Sequence, residues 1–244
     1  MAKTVKQRIV NFFIDILNKP SIRYGFILPL GDILRKNSDE EILEKAMKFA
    51  AHVGTGGDYL EFGVWKGRSF ARAYHMRRYV KDKKLNGMKF YAFDSFQGLP
   101  EIKGQYDNSS SEFKKGDYAC DVETFKSNLV NKGVNLKDVI IIPGWYDESL
   151  SETTKKKLPL KKAAIIFVDC DLYESAIPVL DFITDYVTNG TIIIFDDWFA
   201  FSGDPEKGEQ RAFKEWLGRN PHIRATEWQR VNWKSNSFIL NRKS

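Results

Sequence analysis

The sequence predicts an α/β fold: a seven-stranded, mostly parallel sheet with helices on both faces and an antiparallel strand pair at the C-terminal end. Three observations carry this expectation. From residue 57 onward, short apolar runs alternate with segments of helical periodicity, the pattern of successive βαβ units. Each run is apolar almost throughout instead of at every second residue, as in strands covered on both faces. After the last helical segment come two strand candidates with no helix between them, which pair most simply in antiparallel fashion.

Five runs supply the parallel strands: Asp58 to Phe62, Lys89 to Phe93, Val139 to Ile142, Ala163 to Val168 and Thr191 to Phe195. Helices are expected over 39–51, 68–84, 121–132, 148–157, 173–187 and 206–218. The first opens with Ser38 and Glu41 in capping-box spacing. In the fifth, Ala176, Val179, Leu180, Ile183 and Val187 form one apolar stripe, and Pro178 sits early enough to be tolerated. Ile223 to Trp228 and Ser237 to Leu240 complete the sheet. The polar stretch from Glu101 to Tyr118 exceeds an ordinary connection and reads as a lid or a disordered loop.

Near the N-terminus, Val5, Ile9, Phe12, Phe13, Ile16 and Leu17 recur at helical spacing, with Lys6, Arg8 and Asp15 among the other positions. Such an amphipathic helix packs on the core, on a second copy of the chain, or on a membrane surface. The expected division is an N-terminal helical region, 1–53, serving as a cover or an oligomer contact, and a main domain, 54–244.

Composition narrows the function classes. With 244 residues, 43% hydrophobic and 29% charged, the chain can bury a core, which excludes intrinsic disorder. The net charge of +6 is spread over 38 basic and 32 acidic residues, so nothing demands a nucleic-acid partner. Apolar runs of five or six residues fall far below the ~20 that cross a bilayer, which excludes stable membrane insertion by a helix. Asp15 interrupts the N-terminal apolar stretch and no small-residue cleavage site follows, unlike a secretory signal. Cys120 and Cys170 form neither a CxxC nor a His/Cys cluster, which fits a reducing, cytoplasmic compartment.

Ligands of open parallel sheets bind beyond the carboxyl ends of the strands. Those ends are acidic here. Strand one leads through Glu61, Gly63, Gly67 and Ser69, a glycine turn into a helix that lets a ligand approach the backbone. Strand two ends at Asp94-Ser95, and a carboxylate at that place can accept both ribose hydroxyls of a nucleoside. Strand four ends Asp169-Cys170-Asp171 and strand five Asp196-Asp197. Converging carboxylates repel, and a divalent cation on Asp169, Asp196 and Asp197 relieves the repulsion; oxygen ligands suit Mg²⁺, Mn²⁺ or Ca²⁺. Asp171 also fits as a cap of the following helix. His52, His75 and His222 lie at no strand end, and His75 reads as a packed or exposed residue.

The segments EFGVWKGRS, FDSFQGLPE, VDCDLYES and IIIFDDW, in this order between about residues 54 and 217, resemble the macrocin O-methyltransferase family of S-adenosylmethionine-dependent enzymes. The resemblance implies a Rossmann-like fold, an S-adenosylmethionine site and a Mg²⁺ (or Mn²⁺) that holds neighbouring hydroxyls of a sugar acceptor. By position it puts Glu61 and the Gly63 turn at the methionine part, Asp94 at the ribose and Trp145 at the adenine. Ser69 and Ser95 complete the cofactor set, and Asp169, Asp196 and Asp197 match the metal ligands. Trp65 replaces a second glycine of the turn. Leu172 stands where related catechol enzymes carry a lysine that assists deprotonation, which leaves the base unassigned; Asp169 and Asp171 are the candidates to take the proton. The expected protein is an O-methyltransferase of a small-molecule acceptor, working as a homo-oligomer. Two alternatives remain: a nucleotide-sugar glycosyltransferase using Asp169-Cys170-Asp171 as a DxD, and a non-catalytic scaffold.

Overall fold

The structure, a computed structural model, describes residues 38–107, 113–230 and 232–243. The expected N-terminal amphipathic helix and the Ser38 side chain of the expected capping box lie outside the described residues. The elements in order are α1 (Ser38–Val53), β1 (Asp58–Phe62), α2 (Arg68–Val80), β2 (Phe90–Asp94), α3 (Val122–Asn131), β3 (Val139–Pro143), α4 (Tyr146–Ser149), α5 (Glu152–Lys157), β4 (Ala163–Val168), α6 (Tyr173–Ile183), β5 (Thr191–Phe195), α7 (Gly208–Arg219), β6 (Ile223–Arg230) and β7 (Asn236–Arg242).

The sheet order is β3-β2-β1-β4-β5-β7-β6. The first five strands are parallel, and β7 runs antiparallel to both β5 and β6. β6 therefore points the same way as β5, and the β6–β7 turn lies at the carboxyl end of the sheet.

Alternate residues of each buried strand feed opposite layers, the period-2 geometry of a sheet covered twice. Phe90 and Ala92 join α1, α2 and α3 side chains such as Leu43, Phe70 and Phe125. Tyr91 and Phe93 join α6 and α7 side chains such as Leu180, Phe182, Phe213 and Trp216. Burying each large side chain stabilises by roughly 1.5–3 kcal/mol, and the apolar runs supply this on both faces at once. The α1 residues Ile42, Ala46, Met47 and Ala50 belong to the same core as the sheet.

Two expected elements differ in detail. The 148–157 helix is two short ones, because Ser151 caps α5 by accepting the Thr154 N–H and so starts a new helix there. The 68–84 helix stops at Val80, where Lys81 turns left-handed (φ 53°), and a 3₁₀ turn over Lys83–Leu85 follows.

The ends of the polar 101–118 stretch are pinned. Leu99 N–H donates to Asp117 O and Gly116 N–H to Leu99 O, both at 2.9 Å. The buried Asp107 carboxylate accepts the N–H groups of Tyr173 (2.7 Å) and Glu174 (3.3 Å), capping α6 from a distant part of the chain. Leu99, Phe113, Leu172, Ala200 and Phe201 form a small apolar cluster beneath it. Among the described residues no helix is long and apolar enough to cross a membrane.

Candidate functional site

Strand order reverses between β1 and β4, the place where an open α/β sheet forms its ligand crevice. A cleft of about 670 Å³ opens there, lined by both glycine-turn and strand-end residues, including Gly63, Trp65, Asp94, Trp145, Asp169 and Asp197.

At Gly63 (φ +85°) the two strands touch: an added Cβ would lie 1.7 Å from the Asp169 carbonyl oxygen. Only glycine permits this approach. Gly67, left-handed at φ 73°, starts α2 without a side-chain cap and abuts the Phe125 ring. Asp94 fixes the turn between them: its Oδ2 accepts the N–H groups of Val64 (2.8 Å) and Trp65 (3.1 Å), and its Oδ1 that of Phe96 (2.7 Å). A carboxylate offers about four acceptor directions. Three are used by the backbone of the turn, which leaves one open towards a ligand. Ser95 is likewise engaged, its hydroxyl donating to Gly98 O (2.9 Å) and accepting the Gln97 N–H (3.0 Å).

Glu61 is fully buried on β1 and accepts hydrogen bonds from Tyr59 OH (2.5 Å) and Ser69 Oγ (2.6 Å). Burial raises its pKa to about 8 despite these donors, which pull the other way. In the unfolded chain the group titrates near its ordinary 4.5. The folded state thus holds the proton more tightly, and the stability gained below pH 4.5 is lost as pH rises through about 8. Thermal melts from pH 5 to 8 are expected to show a falling midpoint, with a shallower slope for Glu61→Gln. An unchanged slope in the variant would remove Glu61 from this account.

Across the cleft, Asp169, Asp171 and Asp197 each offer a carboxylate oxygen, and these atoms lie within 4.8 Å of one another. Burial, then Asp196 and Asp171, hold the Asp169 carboxyl well above its usual range; burial and then Asp197 do the same for Asp171. Asp171 adopts φ 64°, a conformation that non-glycine residues rarely take outside strained sites. The Oδ2 of Asp197 is buried with no hydrogen-bond partner among the described residues. Three converging carboxyl groups, with oxygens within 4.8 Å of one another, are a donor set that fits a hard divalent cation. Asp196 sits beside this group with its carboxylate turned to the β6–β7 turn: Lys234 Nζ lies 2.7 Å from its Oδ2 and Ser235 Oγ 3.1 Å from its Oδ1. Lys234 also reaches Asp197 Oδ1 at 2.9 Å. Burial opposes its charge, but Asp197 and Asp196 outweigh burial and keep the ammonium above its ordinary pKa.

Trp65 and Tyr118 meet edge to face, 5.6 Å between ring centroids, and both line the cleft while staying exposed. Burial, then the charges of Asp171 and Asp197, raise the Tyr118 pKa. Trp145 lines the cleft at the start of α4.

The structure thus brings Gly63, Ser69, Asp94, Ser95, Trp145, Asp169, Asp171, Asp196 and Asp197 to one cleft, with Glu61 buried behind Ser69. His75 is packed away from it, buried with its Nε2 2.8 Å from Lys132 O, and burial lowers its pKa to about 4. Sequence reasoning missed Lys234, Tyr118, Asp107 and Glu209. The last is buried at the start of α7 and its Oε2 accepts the Asp197 N–H at 3.2 Å. The place of Lys234 follows from the strand order: with β7 between β5 and β6, β6 runs parallel to β5 and its turn into β7 brings Asn232–Ser235 to the acids.

Comparison with known proteins gives the family and the fold. A stretch of 149 residues is 28% identical to 8-demethyl-8-(2,3-dimethoxy-alpha-L-rhamnosyl)-tetracenomycin-C 4'-O-methyltransferase of Streptomyces olivaceus, covering 59% of this chain and 54% of that protein. A stretch of 164 residues is 27% identical to mycinamicin III 3''-O-methyltransferase of Micromonospora griseorubida, covering 64% and 61%. The match therefore spans little more than half the length of these relatives. The fold is similar to that of the O-methyltransferase NovP, with a TM-score of 0.69 at 20% identity, covering 84% of this chain and 80% of that one. The profile of one family matches residues 38–235, from α1 through the turn that carries Lys234, and on that extent the chain belongs to the Macrocin-O-methyltransferase (TylF) family.

Proposed function

We propose that the protein transfers a methyl group from S-adenosylmethionine to a hydroxyl of a sugar or glycosylated small molecule, with Mg²⁺ or Mn²⁺ at the acid group. One observation carries the reading: a glycine turn tied to Asp94 and a cluster of three carboxylates face each other across one cleft at the switch point. The relatives' sugar substrates support the acceptor class. When bound, the cofactor supplies an electrophilic methyl group, and the cation acidifies and orients an alcohol.

The chain's own groups do the rest. Glu61 and Ser69 form the wall behind the glycine turn, where the positive amino acid part of the cofactor would offset the burial that holds Glu61 protonated and favour its carboxylate. The remaining acceptor direction of Asp94 suits a ribose hydroxyl, and the Trp145 ring suits the adenine face. Asp169 and Asp197 would hold the cation, joined by Asp196, whose carboxylate is turned to Lys234 in this structure. Asp171, whose carboxyl adjoins those of Asp169 and Asp197, would take the hydroxyl proton once a bound cation offsets the burial and repulsion that hold its pKa high. Trp65 and Tyr118 offer an exposed aromatic wall that would orient the apolar face of the acceptor.

Thermal shift separates the readings, because a ligand of the folded state raises its stability. S-adenosylhomocysteine is expected to raise the melting temperature, and labelled S-adenosylmethionine to transfer label to a sugar-bearing acceptor in a metabolite extract. Stabilisation by UDP-sugars alone would favour the glycosyltransferase reading, and stabilisation by neither ligand the scaffold.

A further inference from the structure

The β6–β7 turn is built to hold one side chain. Asn232 Oδ1 accepts the backbone N–H groups of Lys234 and Ser235, both at 2.7 Å. Ser235 Oγ lies 2.8 Å from the Asp196 carbonyl oxygen, and the Lys234 carbonyl accepts the Phe199 N–H at 2.8 Å. The turn is thereby tied on both sides to the segment that follows β5. From this anchor the Lys234 ammonium lies 2.7 Å from Asp196 Oδ2 and 2.9 Å from Asp197 Oδ1.

Asp197 is shared. One of its oxygens is held by the ammonium, and the carboxylate belongs to the group with Asp169 and Asp171. A divalent ion on that group would stand within a few ångströms of a monovalent cation already paired with two of the available carboxylates. Like charges at such separations in a partly buried cleft repel strongly, and carboxylate charge spent on the ammonium is withdrawn from the metal.

Resting on the metal reading above, we propose that Lys234 is a resident counter-cation that competes with a divalent ion for Asp196 and Asp197. The affinity of the site for metal is then set by how firmly the β6–β7 turn holds the ammonium in place. Lys234 is a positioning residue in this scheme, tuning the site through the two aspartates.

The test is direct Mn²⁺ binding to the full chain, read by calorimetry and by the electron paramagnetic resonance signal of free Mn²⁺, with no methyl donor or acceptor present. Lys234→Met is expected to bind Mn²⁺ about tenfold tighter or more, from loss of one positive charge ~4 Å from the ion. Lys234→Arg, which keeps the charge, is expected to bind no tighter than the native protein. Asn232→Ala, which loosens the turn and leaves the lysine in place, is expected to fall between. Equal or weaker binding by Lys234→Met overturns the competition and leaves the metal reading standing. Absence of Mn²⁺ binding in native and variant proteins alike overturns both. If Lys234→Met does not fold, Asn232→Ala decides: affinity no higher than native overturns the proposal.

Discussion

Asp169→Asn is expected to abolish methyl transfer while leaving S-adenosylhomocysteine binding almost unchanged. The substitution keeps the side chain's volume and leaves intact the backbone bond from Asp169 N–H to Phe62 O, at 2.8 Å, which joins β4 to β1. It removes one of three carboxylates whose oxygens lie within 4.8 Å of one another. Losing a charged ligand of the cation, and with it the orientation of the acceptor, corresponds to several kcal/mol of barrier, about a thousandfold or more in kcat. Stability should move the other way. Desolvation and the neighbouring Asp196 and Asp171 hold the Asp169 pKa high, so this group's contribution to folding declines as pH rises through its folded value. The variant is therefore expected to melt no lower than the native protein at pH 8. Parallel measurement of kcat, cofactor affinity and melting temperature checks all three. Near-normal turnover by the variant with EDTA present would end the metal reading.

Gly63→Ala is expected to have the largest effect on folding. The residue sits at φ +85°, where an L side chain costs roughly 1–2 kcal/mol. The new Cβ would also lie 1.7 Å from the Asp169 carbonyl oxygen and 2.8 Å from its carbon, and both are backbone atoms of a paired strand that cannot swing aside. Relief requires β1 and β4 to part at the switch point. The total is expected to exceed about 4 kcal/mol, a large share of the 5–15 kcal/mol that holds a typical domain. Gly87→Ala is the control: its φ is nearly the same, +86°, and nothing lies within 4 Å of an added Cβ, so only the backbone term remains. Chemical denaturation of both variants separates the steric part from the conformational part. Similar losses at the two positions would show that the close approach contributes nothing.

Much of this architecture was legible from local pattern. Runs such as AAIIFV and TIIIF are apolar at every position because helices cover both faces of β4 and β5, so continuous apolarity and strand identity are one physical fact. Ends of elements were less legible. Asp94 pairs with Pro143 as the last residue of β2, although its charge suggests a loop, because its side chain is occupied with the backbone of the glycine turn. The break before α5 depends on one hydroxyl, Ser151, accepting one N–H, a competition that helical periodicity does not register.

For the site, the sequence by itself determined which carboxylates share an edge: in a parallel sheet every strand end lies on the same side, so Asp94, Asp169, Asp171, Asp196 and Asp197 all had to lie at the carboxyl edge. Only the tertiary structure decided what they face. Lys234, Tyr118, Asp107 and Glu209 come from turns and helix starts with no periodic signature, and their places follow from the direction of β6 and from how the polar stretch before Tyr118 is tied down. The physical reason is range. Strand and helix patterns are set by burial over a few residues, whereas a salt bridge such as that from Lys234 to Asp197 joins residues 37 positions apart and exists only once the sheet has closed.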